Sequence, residues 1–155
     1  MVVRNMNLME QILEAFFEGK IIEAERKLNR LLETRKDDPQ AWFLKSFIEK
    51  NKGNNEEALK AIEHAISMSK NYTGAWVLKG IILRNLARYK ESLDAFDKAM
   101  ELQLLYENYE DYEILIEKAK TYLEMGDRKK VLEIINKVME INPEDDEINK
   151  LLKSI

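Results

Sequence analysis

Apolar and polar residues follow one another along this chain with a helical rhythm, and the rhythm itself recurs. Trp42 and Trp76 stand 34 residues apart, and Gly19, Gly53 and Ala87 take the same step. So do Ala24, Ala58 and Ser92; Leu28, Ile62 and Phe96; and Leu31, Ala65 and Ala99. Sets that keep phase define a structural repeat, not a coincidence. The turn chemistry agrees with paired helices. Asp38-Pro39 predicts an N-cap followed by proline at the first helical position. Gly53-Asn54-Asn55 and Gly126-Asp127 predict tight turns, because glycine tolerates positive φ at little cost. Small residues such as Ala58 and Ala65 allow close helix approach while Ile62 fills the space between.

The phase places repeats at about 5–38, 39–72, 73–106 and 112–145. The first has Leu8 in the tryptophan position. The fourth is displaced by five residues, since Leu115, Gly126, Val131, Ile135 and Val138 each lie 39 beyond their counterparts. The extra residues fall near Glu107–Asp111. Leu104 stands where a helix-ending proline is expected, so a prolonged helix is favoured there over a loop. Ile148, Leu151, Leu152 and Ile155 return at helical spacing and predict a last helix over about 144–155, covering the open apolar face of the array.

The middle units read Ala41-Trp42-Phe43-Leu44-Lys45-Ser46 and Ala75-Trp76-Val77-Leu78-Lys79-Gly80, followed by Glu57-Ala58-Leu59 and Glu91-Ser92-Leu93. With Asn142-Pro143 closing the fourth unit, the chain resembles the tetratricopeptide-repeat family across essentially its whole length. It departs from the family pattern where Lys45 and Lys79 replace leucine, and where Glu49 and Leu83 replace an aromatic. The lysines hint at a shifted helix rotation. The resemblance implies an all-α, right-handed α-solenoid of four helix–turn–helix repeats with a C-terminal capping helix, forming one domain over 1–155.

Composition narrows the function. Among 155 residues, 45% are apolar and 35% charged, with 5 glycines and 2 prolines, which suits a folded helical chain. A net charge of −4 and no basic stripe disfavour nucleic acid as a partner. Cysteine is absent, so thiol catalysis, disulfides and cysteine-based zinc sites are excluded. The start, Met1-Val2-Val3-Arg4-Asn5-Met6-Asn7, lacks the apolar core of a signal peptide, and no run approaches the roughly 18 apolar residues of a membrane span. A soluble, cytoplasmic protein without membrane contact is the expectation.

Catalytic candidates are few. His64 is the sole histidine. It falls where the pattern expects an outward polar residue, and reads as a surface histidine, not a base. Glu91, Asp94 and Asp97 read as a solvated face among lysines. Glu144, Asp145, Asp146 and Glu147 read as helix-start carboxylates. Neither group has the spacing of a calcium loop. No phosphate loop or nucleophile elbow occurs. No enzyme, metal or cofactor is expected.

The resemblance implies a partner held on a concave face lined by the first helix of each pair. The inward positions are then Met9 and Leu13; Phe43, Leu44 and Phe47; Val77, Leu78 and Ile81; and Glu113, Ile116, Glu117 and Lys120. The family's carboxylate clamp for chaperone tails is disfavoured, because the matching positions hold Met9, Leu13, Leu44, Gly74 and Leu78. The expected groove is apolar with an acidic end, extended by Tyr106, Tyr109 and Tyr112 among Glu107, Glu110, Asp111 and Glu113. It would suit another protein's peptide or amphipathic helix with basic flanks. Two alternatives stay open: the apolar stripe is ordinary core, or the chain self-associates as a homo-oligomer through that same apolar surface or through the open N-terminal end around Met6, Leu13, Phe16 and Phe17.

Overall fold

The computed structural model describes residues 7–106 and 112–155. Among these residues all regular structure is helical, in nine helices. Two compact units are distinguished, Met1–Lys70 and Asn71–Ile155. The net charge belongs to the second: residues 71–155 carry 17 acidic and 13 basic groups, whereas residues 1–70 carry 12 of each.

In the first unit, α1 (Leu8–Phe17) pairs with α2 (Ile21–Thr34), and α3 (Pro39–Asn51) with α4 (Asn55–Met68). A capping box starts α1: the Asn7 side chain accepts from the Glu10 amide, while the Glu10 carboxylate accepts from the Asn7 amide. Asp38 caps α3 with Pro39 in its first turn, as the sequence implied. Ile12, Ala15, Ala24, Leu28, Leu31, Ala41, Leu44 and Ile48 form one buried cluster. Lys52, which ends α3, makes an ion pair with Glu25 of α2.

In the second unit, α5 (Thr73–Asn85) pairs with α6 (Tyr89–Tyr106), and α7 (Tyr112–Glu124) with α8 (Arg128–Ile141). The last helix, α9 (Asp146–Ser154), packs on α7 and α8. Its apolar residues Ile148 and Leu151 enter the cluster of Leu115, Ile116, Ala119, Val131, Ile135 and Val138, with Ile155 against it. Leu152, by contrast, faces out. Asp145 caps α9 by accepting from the Glu147 and Ile148 amides. The long α6 has 18 residues against 14 in α4. The insertion at Glu107–Asp111, with Tyr109 and Glu110, lies outside the described residues, as does Met6.

Every hairpin turns on the same device. Gly19, Gly53 and Gly126 have φ of 77°, 84° and 79°, and Ala87 occupies the equivalent place at 56°. In each turn two successive amides bond back to carbonyls of the preceding helix, as in Ala87 N to Arg84 O and Arg88 N to Leu83 O. In the two central hairpins, side-chain sizes differ in step. A β-carbon on Gly80 would meet the Phe96 ring at 2.6 Å. One period earlier, Ser46 and Ile62 hold those places, both fully buried.

A hydroxyl also crosses each central hairpin. Ser46 Oγ donates to the Ala58 carbonyl at 2.7 Å, and Ser92 Oγ donates to the Gly80 carbonyl at 2.8 Å. The serine has changed helices: 46 is one period before 80, and 58 one period before 92. Either arrangement satisfies a buried hydroxyl in a close helix contact.

Candidate functional site

The first helices of the first unit present a partly covered apolar strip. Met9, Leu13 and Phe47 are half-buried and pack against the unit's core. Phe43 is half-buried as well. Phe16 and Phe17, neither on the expected inward face, join Phe47 in an aromatic cluster. Ring centroids lie 5.6 Å apart for Phe16 and Phe17, 5.8 Å for Phe16 and Phe47, and 6.3 Å for Phe17 and Phe47, all edge-on. Phe17 remains 72% exposed. The Lys50 ammonium lies 5.6 Å from the Phe47 ring centre.

Leu44 corrects the expected lining. It is buried in the core cluster, so it presents no surface to a partner. In the second unit Leu78 and Ile116 are buried in the same way. Helix α3 explains why: with Ala41, Leu44 and Ile48 turned to the core, residues one step along its circumference, such as Phe43 and Phe47, form the border instead. The same registration leaves Val77 and Ile81 half-buried on α5, packed against Phe96, Ala99 and Ile114.

Lys45 and Lys79 require no shifted rotation. Each places its ammonium over the indole three residues earlier, at 5.2 Å from Trp42 and 5.5 Å from Trp76. Trp42 also donates from its ring nitrogen to the Lys36 carbonyl at 2.8 Å. His64 is exposed, and its ring meets the Trp42 ring edge-on at 4.3 Å.

The polar members of the expected site have a different setting. Glu113 is exposed on α7. Glu117 and Lys120 belong to a chain of ion pairs within the second unit. Arg84 of α5 reaches Glu117 at 2.7 Å and donates to the Glu117 carbonyl at 3.0 Å. Lys120 bonds to the other Glu117 carboxylate oxygen at 2.7 Å and reaches Glu147 of α9 at 2.5 Å. Burial pushes the Glu117 pKa up, but the Lys120 hydrogen bond and the Arg84 charge outweigh it and hold the carboxyl below its ordinary value. Lys120 is the converse: burial lowers its pKa, but bonds to Glu117 and Glu147 raise it above the usual lysine value. These charges join α5, α7 and α9. Arg84 was not singled out in the sequence, where only its partner 33 residues away would have marked it.

Among the described residues no group of three or more His, Cys, Asp or Glu side chains converges as a metal site. No described helix is long and apolar enough to cross a membrane.

The tetratricopeptide-repeat profile matches residues 39–72, 73–104 and 112–145. The chain belongs to the tetratricopeptide-repeat family. Residues 5–38 lie outside those matches, although Gly19 has the same turn geometry as Gly53 and Gly126. No curated protein matches the sequence. Among solved structures, a chain of the APC/C hetero-tetramer Cut9-Hcn1 is similar with a TM-score of 0.81 at 20% identity. That match covers 94% of this chain and 29% of the other, so the chain spans under a third of that relative. YrrB, a TPR protein described as having an unusual peptide-binding site, gives 0.77 at 18% identity, covering 94% and 73%. TTC0263, a thermophilic TPR protein in Thermus thermophilus, gives 0.77 at 18%, covering 95% and 79%. These likenesses establish the tetratricopeptide fold, all-α and repetitive.

Proposed function

We propose that this tetratricopeptide-repeat chain is a non-enzymatic scaffold that holds another protein by an apolar peptide or amphipathic helix with basic flanks. The carrying observation is the aromatic cluster of Phe16, Phe17 and Phe47, edged by half-buried Met9, Leu13 and Phe43. Half-buried apolar side chains at helical spacing offer a ready surface for a second helix. In the second unit, Val77 and Ile81 on α5 offer the same kind of surface, with Glu113 as a charged contact. The peptide-binding site named for YrrB supports the reading as a precedent on this fold. A chain without cysteine suits such work in a reducing compartment such as the cytoplasm.

Magnitudes are compatible with a reversible complex. Covering about six large apolar side chains gains on the order of 10 kcal/mol gross. Association costs roughly 4–15 kcal/mol. The test is titration of the protein with a helical peptide bearing an i, i+3, i+4, i+7 apolar stripe and flanking lysines, against a scrambled control. Saturable binding of the striped peptide, lost in Phe43→Glu and Phe47→Glu with helicity and melting intact, supports the assignment. Equal binding of both peptides, or binding unaffected by the substitutions, removes it.

A further inference from the structure

Two exposed helix faces, one in each unit, complement each other in charge and in the placing of apolar groups. On α1, Glu10, Glu14 and Phe17 stand on one side at i, i+4 and i+7, all exposed. Residues 8–17 contain no lysine or arginine. Glu10 is engaged by the Asn7 amide, whereas Glu14 makes no ion pair among the described residues.

Helix α8 supplies the opposite pattern. Its N-terminal turn carries Arg128, Lys129 and Lys130. Lys130 is paired with Glu133 at 2.8 Å, but Arg128 and Lys129 make no ion pair among the described residues. On the side shared by Arg128 and Lys129 lie Leu132 and Met139, i and i+7, at 42% and 36% exposure. The buried side of α8, formed by Val131, Ile135 and Val138, is separate from this strip.

The spacings coincide. On α1, Phe17 follows Glu14 by three positions; on α8, Leu132 follows Lys129 by three positions. Laid parallel, the helices set carboxylate against cation and phenylalanine against leucine in the same register. Laid antiparallel with Phe17 again on Leu132, they set Glu10 against Met139 and Glu14 against Ile135, and the charge pair is lost.

We propose that copies of this chain associate head to tail, with the exposed face of α1 in one copy docking in parallel on the exposed face of α8 in the next. The proposal shares Phe17 with peptide capture, but Glu14, Lys129, Leu132 and Met139 play no part in that reading, so Leu132→Ser and Lys129→Glu test the two apart. Because the two surfaces differ, the contact is heterologous and does not close on itself at a dimer. It engages few large apolar groups, which places it below the roughly 1,200 Å² of stable interfaces and makes the assembly weak and concentration-dependent. Its charged half weakens as salt rises.

Sedimentation velocity between low and high micromolar protein tests it, with circular dichroism to show that each variant folds. The unaltered chain is expected to grow past a dimer and to shrink in half-molar salt. Phe17→Ser and Leu132→Ser should each be monomeric alone. Mixed, they should form a dimer and nothing larger, because one retains an intact α8 face and the other an intact α1 face. Glu14→Lys and Lys129→Glu should each weaken growth several-fold, and their mixture should recover pairing. A monomer throughout the range overturns the proposal. So does a closed dimer that Phe17→Ser abolishes and Leu132→Ser leaves untouched, which would place α1 against α1.

Discussion

Phe96 packs so closely on Gly80 that no β-carbon fits between them: one built there sits 2.6 Å from the ring. The ring is fully buried, so it can give way only by displacing its core neighbours. Gly80→Ala is therefore expected to destabilise the chain by about 1–3 kcal/mol, despite alanine's better helix propensity. Denaturant unfolding measures this. A second change, Phe96→Leu, should recover part of the loss in the Gly80→Ala background; no recovery would place the strain elsewhere.

The turn at Ala87 invites the opposite change. Its φ of 56° is the left-handed conformation that Gly19, Gly53 and Gly126 adopt without a side chain. Relief of that strain is worth about 1–2 kcal/mol, offset by roughly 0.4–1 kcal/mol of added freedom in the unfolded chain. Ala87→Gly should thus raise stability by about 0.5–1 kcal/mol, seen as a melting temperature a few degrees higher. A lower melting temperature would refute the strain.

Acid should act through Glu117. Its folded pKa lies below the ordinary value, with burial opposing and Lys120 and Arg84 prevailing. The stability it contributes is complete above the unfolded carboxylate value of about 4.3, and is lost as pH falls through the lower folded value. Glu117→Gln should flatten thermal stability against pH below about 4.5, while costing about 1–3 kcal/mol at neutral pH by leaving Arg84 and Lys120 without their shared partner. Parallel profiles for the two proteins would show that the pairing carries no linkage.

The crossing hydroxyls make a comparative prediction. Ser46→Ala removes one donor, at a cost of about 0.5–1.5 kcal/mol. Ser92→Ala should cost more, because Ser92 Oγ also lies 3.3 Å from Thr121 Oγ1, and Thr121 is itself fully buried. Paired unfolding curves would give the order directly; equal losses would mean that the Thr121 contact adds nothing.

Much of the architecture could be read from the sequence because repetition makes each feature visible several times. Gly53 and Gly126 marked their turns, Asp38-Pro39 marked a helix start, and Ile148 and Leu151 marked the packing side of α9. The border of the apolar face was harder to read. Leu44 and Phe47 are both apolar, three residues apart on α3, and only packing against α1 and α2 decides that the first is buried and the second half-covered. Glu117 and Lys120 read as inward contacts for a partner, because the residues they pair with, Arg84 and Glu147, are distant in sequence. Periodicity reports which residues share a helix face, whereas it is silent on which charges meet across helices.

The matched sizes in the two central hairpins also bear on how a repetitive chain avoids pairing the wrong halves. Helices α3 and α5 are near-copies, as are α4 and α6, so exchange of partners during folding is a standing hazard in such arrays. If α3 docked on α6, the β-carbon of Ser46 would be driven into the Phe96 ring. If α5 docked on α4, Gly80 would face Ile62 across a void, and its carbonyl would lack the hydroxyl that Ser92 provides. The bare glycine thus serves as an address, readable only by its own phenylalanine.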